Sequence, residues 1–360
     1  MERSQKNEFM MNEGIRVAER DLCLLCDNKG TPLYQDLRDR LFSAPGTWML
    51  LRCSKCGLVW LNPQPIPEDI GKLYCNYFTH DPSPETLKAE PAKSWRKAVN
   101  LGILNAAFGY KNDRANKTLG WLASRIGPLR DIVEGSVMWL NDSRPGKLLD
   151  VGCGNGQFLA TMRELGWEVT GVEPDGQAAK VARERGLNVY EGVLEEITLP
   201  DDTFDAITMS HVVEHLPDPI GTFGECKRIL KKGGRLVVTV PNIESLGHRL
   251  YREACLNLDP PRHLFLFSPH TLRTCLERSG LQVLELRTTA RTARWMWAAS
   301  CLIKRSGALP SGSPQNLRPG LRLGLRLGGL MFQIVEHMTC WAKKDAGEEV
   351  VLIAGKEANV

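Results

Sequence analysis

The chain has 360 residues, room for one large domain and a smaller one. With 42% hydrophobic and 24% charged residues it has the make-up of an ordinary folded protein, and a net charge of +4 neither demands nor excludes an anionic partner. The opening MERSQKNEFMMNEGIRVAER lacks the apolar centre of a secretory signal, and no stretch reaches the ~18 apolar residues of a transmembrane helix. Both absences predict a cytoplasmic protein, peripheral to the inner membrane at most. Eleven cysteines in a chain this long are too sparse for a secreted disulfide framework.

Residues 1–20 read as a polar lead. Residues 21–80 read as a cysteine-bearing module that ends in Pro-rich sequence, Asn62-Pro-Gln-Pro-Ile-Pro-Glu and Asp81-Pro-Ser-Pro. Within it, Cys23-x-x-Cys26 and Cys53-x-x-Cys56 form two knuckles. Four thiolates close a tetrahedral structural zinc site with no open position, so no catalytic role is expected of it. The alternative, a redox-active CxxC, prefers a strand–helix setting, which neither pair has. Gly57 follows the second pair, where the chain must turn around sulfur, and Cys75 stands outside the pattern.

Residues 92–142 predict a helical cap segment, with Trp95, Val99, Ile103 and Leu104, then Leu119, Leu122 and Ile126, at helical spacing. Residues 143–360 alternate strands and helices. Strands are expected at Lys147-Leu-Leu-Asp-Val, Trp167 to Val172, Asn188 to Tyr190, Phe204 to Met209, Arg235 to Val240, Leu281 to Leu286 and Glu349 to Ala354. Helices are expected over Gln157 to Leu165, Gly176 to Arg185 and Pro219 to Leu230, the last closed by Lys231-Lys-Gly-Gly. A further helix over Ser268 to Ser279 has Ser268 as N-cap and Pro269 first. This alternation implies an α/β, doubly wound, mostly parallel sheet. A helical insertion occupies about 289–347.

The strongest chemical signal is Leu149-Asp150-Val151-Gly152-Cys153-Gly154-Asn155-Gly156, between a strand and a helix. Glycines let backbone approach a ligand closely, and the helix start offers free N–H groups. Asp150 at the strand end would repel a phosphate and suits a ligand with an ammonium group. Glu173, about twenty residues on and followed by Pro174, stands where an acid accepts from ribose hydroxyls.

With GVEPD (171–175), Leu199-Pro-Asp-Asp-Thr-Phe-Asp, His211-Val-Val-Glu-His-Leu-Pro-Asp-Pro and Leu230-Lys-Lys-Gly-Gly-Arg-Leu, the chain resembles the class I S-adenosylmethionine-dependent methyltransferases. The resemblance covers roughly 147–288 and the last strand. It implies a seven-stranded Rossmann-like sheet whose last strand is antiparallel. It also implies S-adenosylmethionine over Gly152, Cys153, Gly154 and Gly156, with Glu173 on the ribose. Relatives often carry an acid near the adenine where this chain has Val193. Adenine is then left to the Leu194 backbone and apolar packing, or to Glu195. CxxCGLVWLNPQP in the N-terminal module resembles zinc ribbons fused to methyltransferases of bacterial small-molecule and glycan pathways.

Methyl transfer to a hydroxyl needs positioning and often a base. His211, after the fourth strand, is one candidate. His263, in an Arg-His pair that related enzymes place near substrate, is the other, against a capping contact to the helix at Ser268. His215 with Glu214 reads as a loop-ordering pair. His211-x-x-x-His215 has metal-like spacing but no evident third ligand. In the insertion, Arg318, Arg322 and Arg326 recur every four residues among leucines. This stripe suits a membrane surface or lipid-linked substrate, or a helix packed on its own domain with solvated arginines. Three readings follow: a small-molecule or glycan-pathway methyltransferase, with oxygen favoured as the acceptor atom; an RNA methyltransferase holding RNA through Arg38, Arg40, Arg52 and Lys55 of the zinc module; or a non-catalytic binding protein. The intact glycine loop, Asp150 and Glu173 favour an enzyme.

Overall fold

The computed structural model describes residues 10–74, 94–140, 145–309 and 319–357. Cys75 and Arg318 lie outside them. The chain opens with strands β1 (Met10–Asn12), β2 (Ile15–Ala18), β3 (Gly30–Leu37), β4 (Trp48–Cys53), β5 (Val59–Asn62) and β6 (Gln64–Pro65), then the short helix α1 (Pro67–Ile70). Helices α2 (Ser94–Phe108), α3 (Lys117–Ala123) and α4 (Gly127–Ser136) follow. The α/β part runs β7 (Lys147–Val151), α5 (Gln157–Glu164), β8 (Glu168–Glu173), α6 (Gly176–Glu184), β9 (Asn188–Glu191), β10 (Phe204–Ser210), α7 (Pro219–Ile229), β11 (Leu230–Pro241), α8 (Leu246–Tyr251), β12 (Phe265–Leu266), α9 (Pro269–Glu277), β13 (Gln282–Thr289), α10 (Ala293–Ser306), α11 (Pro319–Ala342) and β14 (Glu349–Gly355).

Seven strands form one sheet in the order β13-β14-β11-β10-β7-β8-β9. β7 to β11 pair in parallel, and β14 runs antiparallel to both β11 and β13. The chain winds outward from β7 through β8 to β9, then returns to the other side of β7 for β10. The reversal between β7 and β10 is the topological switch point, where such sheets open a crevice at the carboxyl ends of their strands. Alternation of side chains fills two cores. Leu149, Leu236, Val238, Val350 and Leu352 face one core, and Leu148, Val237, Val351 and Ile353 face the other. The second core is closed by Ile103, Leu104 and Phe108 of α2 and by Val133 of α4.

Expected elements are present with small shifts. The helix from Pro219 stops at Ile229 because Leu230 turns extended and pairs with Phe204, so Lys231-Lys-Gly-Gly lies within β11 rather than beyond a helix end. Ser268 caps α9 in a reciprocal box with Thr271. In α2 to α4 and their connections, Ile103 and Leu104 are buried, whereas Trp95, Leu119, Leu122 and Ile126 are exposed. Helical spacing marked those helices correctly but not which apolar face meets the core.

The cysteine module is joined to the α/β part through a shared sheet. β3, β4 and β5 continue into β12, with Phe265 opposite Trp60 and Leu266 opposite Val59. Its core of Trp48, Leu50 and Trp60 is continuous with the α/β core through Phe265 and Phe223. Across this seam, Arg262 donates to both oxygens of Asp39, at 2.7 and 2.8 Å, and to Asp259. Arg262 and Asp39 are fully buried, so the pair is held by desolvated, bidentate geometry.

Candidate active site

The glycine loop leaves β7 with Gly152, Gly154 and Gly156 at φ of +73°, +53° and +76°, conformations that L side chains rarely adopt. A Cβ at Gly152 would sit 2.5 Å from Val212, and one at Gly156 would sit 2.4 Å from Leu187. At Gly154 it would meet nothing within 4 Å, so backbone faces open space there. Cys153 is buried under the loop, its side chain against Gly171.

Asp150 and Glu173 border this loop, each buried. Asp150 accepts from the Thr208 hydroxyl at 2.7 Å. Burial pushes its carboxyl up to about 7, with the Thr208 bond opposing and Glu173 adding repulsion. Such a group awaits a cation. Glu173 accepts from the Gly154 and Asp175 amides at 2.7 and 2.9 Å. Each carboxylate oxygen keeps lone-pair capacity for a ribose hydroxyl. Burial raises its pKa while those amides lower it. The donor set therefore fits a ligand with an ammonium group and a ribose. Pro174 is exposed beside Glu173. Leu194 is buried in the core, Val193 is 40% exposed, and Glu195 turns to the Thr222 hydroxyl of α7 rather than toward the loop.

The segment after β10 rests on the glycine loop through Val212. His211 is at φ +54°. Its Nε2 lies 2.9 Å from Glu349 Oε1 and its Nδ1 lies 3.3 Å from Glu214 Oε1. Burial alone would lower its pKa, but the bonds to Glu214 and Glu349 push it up to about 10. Arg291 also pairs with Glu349, at 2.8 Å. Both ring nitrogens thus face carboxylates, an arrangement that favours the charged imidazolium.

His215 and His263 face each other edge to face, ring centroids 4.8 Å apart. Nδ1 of His215 lies 2.9 Å from the Arg262 carbonyl and that of His263 2.8 Å from the Asn257 carbonyl. A neutral ring in each place therefore carries its proton on Nδ1 and keeps Nε2 as acceptor. Burial lowers the His215 pKa to about 4, and His263 adds to this. Glu214 is fully buried, with His211 Nδ1 3.3 Å from its Oε1. Donor atoms of Glu214, His215 and His263 lie within 4.8 Å of one another and could hold a metal ion. So the metal-like histidine spacing does gain partners, but His211 is not among them. Tyr74, whose hydroxyl is 3.0 Å from His215 Nδ1, and Glu214 as a site group were missed from the sequence. The first comes from a distant segment, and the second was taken for a loop contact.

The four module cysteines converge, their sulfurs all within 4.8 Å and the closest pairs at 3.3 to 3.7 Å. A tetrahedral zinc with bonds of ~2.3 Å has sulfurs ~3.8 Å apart, so the set fits that ion. Asp27 and Gly57, one after each pair, both adopt positive φ and both donate to the carbonyl of the first cysteine of their knuckle at 3.0 Å.

Residues 124–286 match the family model described as a methyltransferase domain. The chain is 35% identical over 108 residues to a ubiquinone biosynthesis O-methyltransferase of Xanthomonas oryzae, covering 28% of this chain and 45% of that protein. It is 34% identical over 154 residues to the human mitochondrial ubiquinone biosynthesis O-methyltransferase, covering 38% and 42%. The chain thus spans less than half the length of these relatives. Among solved structures it is similar to a sarcosine dimethylglycine methyltransferase from Galdieria sulphuraria, at 19% identity and a TM-score of 0.43, covering 67% of this chain and 88% of that one. The glycine loop, its two bordering acids and strands β7 to β11 lie within the matched methyltransferase domain, and the seven-stranded sheet ends in an antiparallel strand, as the resemblance to class I S-adenosylmethionine-dependent methyltransferases implies.

Proposed function

We propose that this protein transfers the methyl group of S-adenosylmethionine to a hydroxyl of a small-molecule acceptor, of the kind met in bacterial small-molecule or glycan pathways. One observation carries the choice of oxygen: two histidines stand edge to face, each with Nδ1 against a carbonyl and Nε2 left as acceptor, on the segments that follow β10 and β11. A hydroxyl needs to lose its proton as the methyl arrives. The relatives in Xanthomonas oryzae and human mitochondria are named as O-methyltransferases, which supports that reading.

In this reading Asp150 pairs with the cofactor's ammonium group and Glu173 with its ribose, while Gly152 to Gly156 let the backbone lie against it. The Leu194 backbone lies near the adenine. His263 Nε2 accepts the proton of the acceptor hydroxyl. His211, already cationic between Glu214 and Glu349, orders the site and does not act as base. Cys23, Cys26, Cys53 and Cys56 hold a structural zinc. Arg38 pairs with Glu13 at 3.6 Å and Arg40 donates to the Glu253 carbonyl. Two of the four basic groups that would hold RNA are thus engaged within the protein, which favours a small acceptor.

Calorimetric titration with S-adenosylmethionine tests the cofactor, and a panel of phenols, catechols and sugar nucleotides tests the acceptor. His263→Gln should lower kcat by about 10²–10⁴-fold while leaving cofactor affinity within about twofold. Equal loss of both would remove His263 from the chemistry. Saturable binding with no turnover of any hydroxylated compound would favour a non-catalytic role.

A further inference from the structure

No helix among the described residues is long and apolar enough to cross a membrane, yet α11 is apolar on two opposite faces. Its inner face, with Leu325, Phe332 and Gly329, packs on α10, where a Cβ at Gly329 would come within 3.0 Å of Arg294. Its outer face presents Leu323, Leu327, Leu330, Ile334, Met338 and Trp341, each 44% to 91% exposed. Their spacing of three and four residues puts all six on one side of the helix. A surface helix of a folded domain normally turns charged residues outward there.

Every exposed charge on α11 is basic. Arg322 and Arg326 lie at one border of the stripe near its start, and Lys343 and Lys344 follow its end. The acid within the helix, Glu336, is buried, and His337 pairs with Asp131 of α4 at 3.8 Å. Asp345 alone stands exposed just past the lysines. Gly328 and Gly329 approach Trp297 and Arg294, and Gln333 donates to Ala290, so α10 runs antiparallel to α11. Exposed Lys304 and Arg305 at its end therefore join the Arg322 end.

This pattern chooses among occupants. A second copy paired through this face would set arginines against lysines if antiparallel, and like against like if parallel, repulsive in both cases. An anionic lipid surface satisfies both features at once. Apolar side chains enter the boundary between headgroups and acyl chains, basic groups meet phosphates, and Trp341 sits at the level tryptophan favours. We propose that α11 docks this protein flat on an anionic membrane surface through its Leu323–Trp341 face. The inference rests on no part of the methyl-transfer reading.

The test is flotation of the full chain with vesicles of phosphatidylcholine alone or mixed equally with phosphatidylglycerol. Flotation with the mixed vesicles only is expected. It should fall about tenfold or more in a Leu327→Glu, Ile334→Glu double variant, and severalfold in Arg322→Gln, Arg326→Gln or in high salt. Because Leu327, Ile334 and Arg326 are exposed and Arg322 is half-exposed, circular dichroism and cofactor affinity should be unchanged, which separates lost docking from lost folding. Failure to float with either vesicle, or flotation indifferent to lipid charge, would overturn the proposal. So would a concentration-dependent dimer in sedimentation that the Leu327→Glu, Ile334→Glu variant abolishes, which would assign the face to a second copy.

Discussion

At the residue scale, Asp150 and His211 are opposite cases of one rule: a charge is set by what faces it. Asp150 lacks a cation, and burial pushes it up to about 7. A group raised in this way stabilises the folded protein below its unfolded value and loses that contribution as pH rises through about 7. Cofactor binding should select the ionised form, so affinity for S-adenosylmethionine should weaken about tenfold per unit below about pH 7. Titration in buffers of different ionisation heat would register the released proton, and Asp150→Asn should flatten the profile. His211 is raised to about 10 by Glu214 and Glu349. Its contribution is present below its unfolded value near 6.5 and is lost as pH climbs through about 10. The stability gap between wild type and His211→Gln should therefore shrink from about pH 7 to about pH 10, as denaturant midpoints would show. A constant gap would mean that the ring is neutral and works by packing.

At the element scale, the segment 259–268 does the joining. Leu264 donates to the Glu214 carbonyl at 2.7 Å and accepts from the Leu61 amide at 3.0 Å, so one residue ties the histidine cluster to the cysteine module. Arg262 anchors the same segment to Asp39. Asp39→Ala would leave the buried Arg262 guanidinium with Asp259 alone and should lower stability in chemical unfolding, by less than the ~3–5 kcal/mol of a charge left wholly unpaired. Asp39→Ala with Arg262→Met should recover much of that loss, which would identify the cost as unpaired charge rather than lost packing. Within the α/β part, sequence reading placed most strands of the seven-stranded sheet and helices α5, α6, α7 and α9 within a residue or two, because apolar runs and caps are local. It could not see that Phe265–Leu266 would serve as an edge strand for the cysteine module, since that pairing joins β5 to a strand about two hundred residues away.

At the scale of the whole molecule, the module and the catalytic domain share a core, so their stabilities should move together. Cys53→Ser should lower zinc content and the melting temperature. It should also reduce acceptor turnover more than cofactor affinity, because β12 follows directly on His263, whereas the glycine loop stands on β7. Equal losses would mean global unfolding instead. The sequence by itself determined the sheet, the glycine loop with its two acids and the four cysteines. Each of these is written in a short stretch, by period-two burial, by positive-φ positions that only glycine fills easily, or by paired spacing. Tertiary structure decided the rest. It set a carboxylate against each ring nitrogen of His211 by bringing Glu349 from the last strand, and it set His263 and Tyr74 against His215 from opposite parts of the chain. It also turned the leucines of α11 outward. The reason is common to all three: charge state and exposure depend on what lies across space, and local sequence specifies the element without naming its neighbour.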